Sequence, residues 1–210
     1  MEIRGLIEKI IKDMEKNGGL KNVVWVAAGG SHDGHYAAQY FMDRESTQVR
    51  SQQMTSSEFV YAPPKVVGKT SIVVLTSMRG TKETIEAAKV ARELGAVTIS
   101  QYVDESELTE VCDYKVKYGS IWEDDKDQGK TNAGNALRIA MSIVDIVEGY
   151  KYYYEAMEAF AKVQNIYEKA KEYCEPLAEK WAKEMKNEKV ITVLASGPLY
   201  GSGHIFSTCN

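Results

Sequence analysis

Ser71-Ile72-Val73-Val74-Leu75-Thr76, then Ser77-Met78-Arg79-Gly80-Thr81, then Lys82–Leu94, follow one another as an apolar run, a small polar loop and an amphipathic segment. A short apolar run between small polar residues suits a strand buried on both faces, as in a parallel sheet. After the small polar loop, Ile85, Ala88, Val90, Ala91 and Leu94 recur at helical spacing and stop at Gly95. Strand, Gly/Ser/Thr loop, helix is one βα unit. Working outward, Val23–Ala28 bounded by Gly29-Gly30 repeats the pattern, with a helix expected over Asp33–Asp43 that buries Tyr36, Ala37, Tyr40 and Phe41.

Weaker signals fill the gaps. Gln48–Gln52 is a polar strand candidate, and Ser57–Tyr61 a short helix stopped by Pro63-Pro64. Ala96–Ser100 and Tyr114–Lys117 read as strands, with a short helix near Glu105–Val111 between them. Ile3, Leu6, Ile7, Ile10, Ile11 and Met14 mark a leading helix that ends at Asn17-Gly18-Gly19. Strands alternating with helices at this pitch imply βαβ units and a mostly parallel sheet. From Lys130 to Gly149 the pattern becomes one apolar helix. Tyr150–Lys186 is a polar amphipathic helix in which Pro176 should start a new helix or kink the old one.

Lys189–Ala195 returns to strand pattern. At an offset of 167 residues Val190–Gly197 overlays Val23–Gly30, with Gly201 opposite Gly34 and Asn210 opposite Asp43. The expected organisation is residues 1–149 as one α/β domain, 150–188 as a helical connector, and 189–210 as the first strand and helix of an incomplete second unit. One strand and one helix bury no core of their own. The expectation is therefore a shortened chain, or a tail that pairs with another chain or with the edge of the first sheet.

Composition narrows the function classes. The 210 residues are 44% hydrophobic and 27% charged, an ordinary globular balance. With 26 Lys+Arg against 30 Asp+Glu, the net charge of -4 gives no basic excess for nucleic acid. Apolar runs fall far short of the ~20 residues that span a bilayer, and the charged N-terminus is no signal peptide. Cys112, Cys174 and Cys209 are far apart and odd in number, which suggests reduced thiols in a cytoplasmic protein.

In a doubly wound sheet, ligands sit beyond the carboxyl ends of the strands where strand order reverses, which for a 2-1-3-4-5 order is between the first and third strands. The loops there are Gly29-Gly30-Ser31-His32 and Ser77-Met78-Arg79-Gly80-Thr81. Each opens into a helix, so free N–H groups, hydroxyls and a helix dipole converge where a phosphate dianion would be stabilised. Ser and Thr at such positions also serve simply as caps. Neither loop fits a nucleotide fingerprint: Gly29–Gly34 is not G-x-G-x-x-G, and Gly80-Thr81-Lys82 lacks the Walker A spacing. No cofactor or metal is implied.

Ala28-Gly29-Gly30-Ser31, Ser57-Glu58-Phe59-x-Tyr61, and Leu75-Thr76-Ser77-x-x-Gly80-Thr81-x-Glu83-Thr84 with Leu94-Gly95-Ala96 together resemble the sugar isomerase (SIS) family. The resemblance runs from Asn22 to about Glu148 and implies an α/β fold, a three-layer αβα sandwich with a five-stranded parallel sheet of flavodoxin-like order 2-1-3-4-5. Ala195-Ser196-Gly197-Pro198-Leu199-Tyr200 resembles the opening of a second SIS domain, as in the double-SIS phosphosugar isomerases, the isomerase half of the aminotransferases and the fructosamine 6-phosphate deglycases. The resemblance implies a sugar phosphate or sugar-amine phosphate ligand, bound by Gly29, Gly30, Ser31, Ser77, Met78, Arg79, Gly80 and Thr81, with Thr81 at the phosphate. It also implies a homo-oligomer, because SIS sites are commonly completed by a neighbouring unit. The loop is one residue shorter than the family's Ser-x-Ser-Gly-x-Thr, and Arg79 stands where a serine is common. Arg79 either neutralises phosphate or is a solvated loop cation.

In double-SIS enzymes the carboxylate and histidine that move protons are expected in the second domain. No catalytic base is therefore assigned here, and the chain alone is expected to bind phosphosugar weakly or not at all and to turn over none. A single-SIS enzyme like the phosphoheptose isomerases would instead be self-contained, with no second-sheet strand at Lys189–Ser196. A non-catalytic sugar-phosphate sensor is a third class. Other candidates have plainer readings: His32 and His35 as surface or helix-start residues, Glu58 as a helix residue beside the site, and Asp124, Asp125 and Asp127 as a solvated loop. Tyr150, Tyr152, Tyr153 and Tyr154 are expected to pack the following helix against a partner.

Overall fold

A computed structural model describes residues 2–120 and 127–208. In chain order the helices and strands are α1 (Ile3–Met14), β1 (Asn22–Ala27), α2 (Gly30–Asp33), α3 (Tyr36–Glu45), β2 (Arg50–Thr55), α4 (Ser56–Tyr61), β3 (Ser71–Thr76), α5 (Lys82–Glu93), β4 (Val97–Tyr102), α6 (Glu107–Val111), β5 (Tyr114–Lys117), α7 (Asn132–Glu148), α8 (Tyr153–Met185) and α9 (Tyr200–Thr208). The five strands form one parallel sheet of order β2-β1-β3-β4-β5, the expected architecture.

Strand periodicity builds both faces at once. Val23 and Trp25 of β1 join Ile72 and Val74 of β3 in a core shared with α1, α3 and α7. Val24 and Val26 join Val73 and Leu75 on the opposite face, under Phe59 of α4 and Ile85, Ala88 and Ala91 of α5. Every residue of β1 and β3 is buried, which is why these strands read as continuous apolar runs. Ala27 of β1 pairs in register with Thr76 of β3, so the two following loops start side by side. β1 connects to β2 on one flank, and β3 then falls on the other. That is the switch point.

Several expectations need correction. The helix over Asp33–Asp43 is two pieces, α2 and α3, separated by Gly34 and His35. Its buried side chains are Ala38 and Met42, because these pack toward α7. Tyr36 and Tyr40 instead turn toward the tail: Tyr36 contacts the ring of Tyr200 at 5.0 Å. β2 runs from Arg50 to Thr55, later than Gln48–Gln52. Pro176 lies inside the single helix α8 and starts no new one. The tyrosine cluster packs largely within the chain: Tyr150 meets Phe41 edge-on at 5.1 Å, and buried Tyr153 lies against Ser142 Oγ at 3.3 Å and beneath Arg4. Tyr154 is 74% exposed.

The tail also departs from its pattern. Residues 190–195 form no ladder with the described strands, and Val190 and Leu194 are 81% and 93% exposed. Pairing with the edge of the first sheet is therefore not what the tail does. α9 docks instead on α2 and α3. A Cβ at Gly201 would stand 2.7 Å from the Asp33 carbonyl oxygen and 2.8 Å from Tyr36 Cβ, and His204 Nδ1 meets Asp33 Oδ2 at 2.9 Å. Trp181 of α8 touches Phe206 edge-on at 5.7 Å. Among the described residues no helix is long and apolar enough to cross a membrane.

Candidate functional site

Beyond the carboxyl ends of β1 and β3 lies an open cleft of about 320 Å³, lined by Ala28, Ser31, Thr76, Ser77, Met78, Arg79, Gly80 and Thr81. Six of the eight residues anticipated for the site are in this lining. Gly29 and Gly30 are not; they shape the turn behind it. Gly29, at φ 56° and ψ -140°, ends the β1 loop in a conformation that a side chain strains.

The β3 loop is held by its own hydroxyls. Ser77 Oγ accepts the Thr81 N–H at 2.9 Å, closing the loop. Thr81 Oγ1 and Thr84 Oγ1 lie 2.7 Å apart, and Thr84 Oγ1 is 2.8 Å from Ser56 Oγ on α4. Thr81 is the N-cap of α5, but its side chain makes no capping bond. The amides of Lys82 and Glu83 therefore meet no acceptor among the described residues. Gly80 crosses at φ 75°. A Cβ there would sit 2.6 Å from Ser106 Oγ and 3.3 Å from Ile85 Cδ1, so both conformation and space require glycine.

Arg79 is a cation at this mouth. Its Nε donates to Asp104 Oδ2 at 2.9 Å, with both side chains largely exposed. Such a pair contributes only ~0–1 kcal/mol, so little holds the guanidinium away from an anion entering the cleft.

Thr76 lines the floor, and its polarity at the end of an apolar strand was the signal available for it. Its Oγ1 accepts from Gln101 Nε2 at 3.1 Å and shares a 2.6 Å hydrogen bond with His35 Nε2. His35 starts α3 as its N-cap, one of the two positions expected of it, but is wholly buried and not at the surface. Burial, reinforced by the proximity of His32, pushes its pKa down to about 3. It stays neutral near pH 7 and serves as a structural hydrogen-bonding group. His32 Nδ1 faces Asp33 Oδ1 at 3.3 Å, outside the cleft lining.

Glu58 belongs to a capping box. It accepts from the Thr55 N–H and hydroxyl, each at 3.0 Å, while Thr55 Oγ1 accepts the Glu58 N–H. The hydrogen bond from the Thr55 backbone, then that from its side chain, lowers the Glu58 pKa. A carboxylate so engaged is a helix start, as anticipated, and a poor base. Asp127 similarly accepts from the Gly129 N–H at 2.9 Å. Asp124, Asp125, Cys209 and Asn210 lie outside the described residues. No group of three or more His, Cys, Asp or Glu among the described residues is arranged to hold a metal.

Tyr118, just past β5, has no counterpart in the sequence reading. It is only 4% exposed. Burial pushes its pKa up to about 12, with Ser31 pulling the other way. Its Oη has no hydrogen-bond partner of ordinary geometry among the described residues.

Against known proteins, no family model matches the chain. It is 32% identical over 205 residues to fructosamine deglycase FrlB of Bacillus subtilis (strain 168), covering 97% of this chain and 62% of that protein. A Salmonella typhimurium LT2 structure, given as a candidate phosphosugar isomerase, superposes with a TM-score of 0.93 at 34% identity, over 100% of this chain and 63% of the other. A Bacillus subtilis structure of the same description gives 0.87 at 30% identity, over 98% and 65%. The chain thus spans somewhat under two thirds of each of these relatives. In sequence and in fold it is a homologue of the SIS-domain phosphosugar isomerases and fructosamine deglycases.

Proposed function

We propose that the cleft between β1 and β3 binds the phosphate of a phosphorylated sugar or sugar amine, and that the protein acts on it as an aldose/ketose-phosphate isomerase or fructosamine 6-phosphate deglycase. The observation that carries the reading is the register of Ala27 with Thr76. It sets Ser31 beside a loop offering the Ser77 and Thr81 hydroxyls, the free amides of Lys82 and Glu83, and Arg79. These are donors and positive charge, as a phosphate dianion requires. All lining residues come from residues 28–81, which supports assigning the phosphate-binding half of the site to this domain.

Isomerisation takes a proton from the carbon next to the carbonyl and returns one to the carbonyl carbon, and release of an amine from a fructosamine begins with the same proton abstraction. Both need a base and donors that stabilise an enediol or enolamine. Neither Glu58, engaged in its capping box, nor buried His35 is placed as that base, so the proton-moving groups are assigned to residues beyond this domain. Residues 189–210 are proposed to begin a second unit of the same kind. The 167-residue overlay supports this, as does an extended segment at 190–195 with exposed Val190 and Leu194. A neighbouring subunit that completes the site is part of the same reading.

The test is titration of the 210-residue chain with fructose 6-phosphate, glucose 6-phosphate, fructose and inorganic phosphate. Saturable millimolar binding of the sugar phosphates, with fructose silent, is expected. Equal binding of fructose, or no binding of any sugar phosphate, would overturn the reading.

A further inference from the structure

Asp33 carries one inference beyond this, whose consequence for binding rests on the phosphosugar reading of the cleft. It ends α2, the four-residue turn Gly30–Asp33 that carries Ser31 into the cleft lining. A single turn fixes many dihedrals for few hydrogen bonds, so it has little stability of its own and depends on what packs against it. Two side chains from distant elements do so. Gln53 Nε2 of β2 donates to the His32 carbonyl at 2.6 Å, and His204 Nδ1 of α9 meets Asp33 Oδ2 at 2.9 Å. The Asp33 side chain is only 7% exposed, and among the described residues its ion-pair partners are two imidazoles, His204 and, at 3.3 Å, His32. No Lys or Arg there shares it. A buried carboxylate that loses such a partner is left poorly compensated. The contact with α9 is close as well: the Gly201 backbone comes so near the Asp33 carbonyl that a Cβ would stand 2.7 Å from it.

We infer that Asp33 is a positioning residue for Ser31, and that His204 of the tail holds it in that role. An ionised carboxylate only accepts, so His204 donates from Nδ1. The bond ties α9, more than 160 residues on in sequence, to the turn that presents Ser31. With the bond made, α2 is formed before a ligand arrives. Without it, part of the population lacks the turn, and the apparent affinity falls by the fraction that remains competent. The β3 loop is closed by its own Ser77–Thr81 bond and takes no part in the tie. Occupancy of the first domain's cleft is thereby made to depend on the docked tail.

His204→Ala and His204→Asn together test this, because asparagine offers an N–H close to the place of the imidazole Nδ1 and alanine offers none. The first readout is amide hydrogen exchange in the ligand-free 210-residue chain. The N–H groups of His32, Asp33 and Gly34 close α2 on the Gly29 and Gly30 carbonyls. Their exchange should quicken about three- to tenfold in His204→Ala, the range of one net hydrogen bond, and return toward the wild-type rate in His204→Asn. Exchange at Ile72–Thr76 should be unchanged in both, which shows that the sheet is intact. The second readout is fructose 6-phosphate affinity, which should fall about three- to tenfold in His204→Ala and recover in His204→Asn. Unchanged exchange at residues 32–34 in His204→Ala would overturn the inference, since α2 then stands without the tail. Losses that asparagine does not restore would assign the effect to α9 packing and overturn the role of the bond. Faster exchange with unchanged affinity would overturn the positioning of Ser31 for the ligand while leaving the phosphosugar reading intact. If the wild type binds no sugar phosphate, that reading falls, and the exchange rates alone decide whether His204 holds α2.

Discussion

Gly80→Ala is the substitution most tightly constrained by the loop geometry. At φ 75° an L side chain costs ~1–2 kcal/mol. The new Cβ would also stand 2.6 Å from Ser106 Oγ and 3.1 Å from Ser106 Cβ. The hydroxyl can rotate away, but the Cβ moves only with its backbone, adding about 1–2 kcal/mol by analogy with overpacked cores. The variant should therefore lose about 3 kcal/mol in urea denaturation followed by far-ultraviolet circular dichroism. Ser106→Gly removes both offending atoms. The double variant should thus be more stable than the two single losses predict by about 1–2 kcal/mol, a coupling readable from a double-mutant cycle. Phosphosugar affinity should follow the same order, since the displaced loop carries Ser77 and Thr81. Strict additivity within 0.3 kcal/mol, or a Gly80→Ala cost below about 1 kcal/mol, would refute the described path of the loop.

Other consequences are independent of that loop. Burial opposes ionisation of Glu148, but hydrogen bonds from Ser46, Thr47 and Gln48 outweigh it and hold the carboxyl at about 2. Its stabilisation is therefore present above the ordinary carboxylate value of 4.5 and lost as pH falls toward 2. Glu148→Gln should cost about 1–2 kcal/mol at pH 7 after allowance for solvent, and the deficit should shrink between pH 4.5 and 2; a constant deficit across that range contradicts the assignment. Ser77→Ala should weaken fructose 6-phosphate binding at least tenfold. Arg79→Gln should weaken it less, with a shallower salt dependence than the wild type. The reverse order would make the arginine, not the capped loop, the phosphate anchor. Gly201→Ala should release α9, seen as lost hydrogen-exchange protection over 200–208 with β1 and β3 unaffected; retained protection would mean the close approach to Asp33 and Tyr36 is not required.

The strands that decide the fold were legible because both of their faces are buried. β1 and β3 carry that fact as unbroken apolar runs. β2 was displaced in the reading because it is an edge strand with exposed Arg50 and Gln52, so its sequence resembles a loop. The break between α2 and α3 and the rotation of the buried face onto Ala38 and Met42 depend on where α7 and the tail lie, which local periodicity does not encode. That His35 starts a helix was legible, but its burial was not, because Thr76 and Trp25, distant in sequence, enclose it. At the site, the two loops were readable from glycine and hydroxyl content. The burial of Tyr118 was not, since it follows the short edge strand β5.

The tail shows the opposite limit. Val190–Ala195 has strand composition, but a strand needs a neighbour for its N–H and C=O groups, and none of the described strands pairs with it. What holds the segment after it is packing on α2 and α3: Tyr200 on Tyr36, the backbone of Gly201 close to the Asp33 carbonyl, and His204 on Asp33.

The central claim is that a sugar phosphate binds with its phosphate on the β3 loop. Backbone amide chemical shifts of the isotope-labelled chain, followed during titration with fructose 6-phosphate, test it most directly. The account predicts saturable shifts centred on Ser31 and on residues 77–83, partly reversed by excess inorganic phosphate. Saturable shifts centred elsewhere, or none at millimolar ligand, would contradict it.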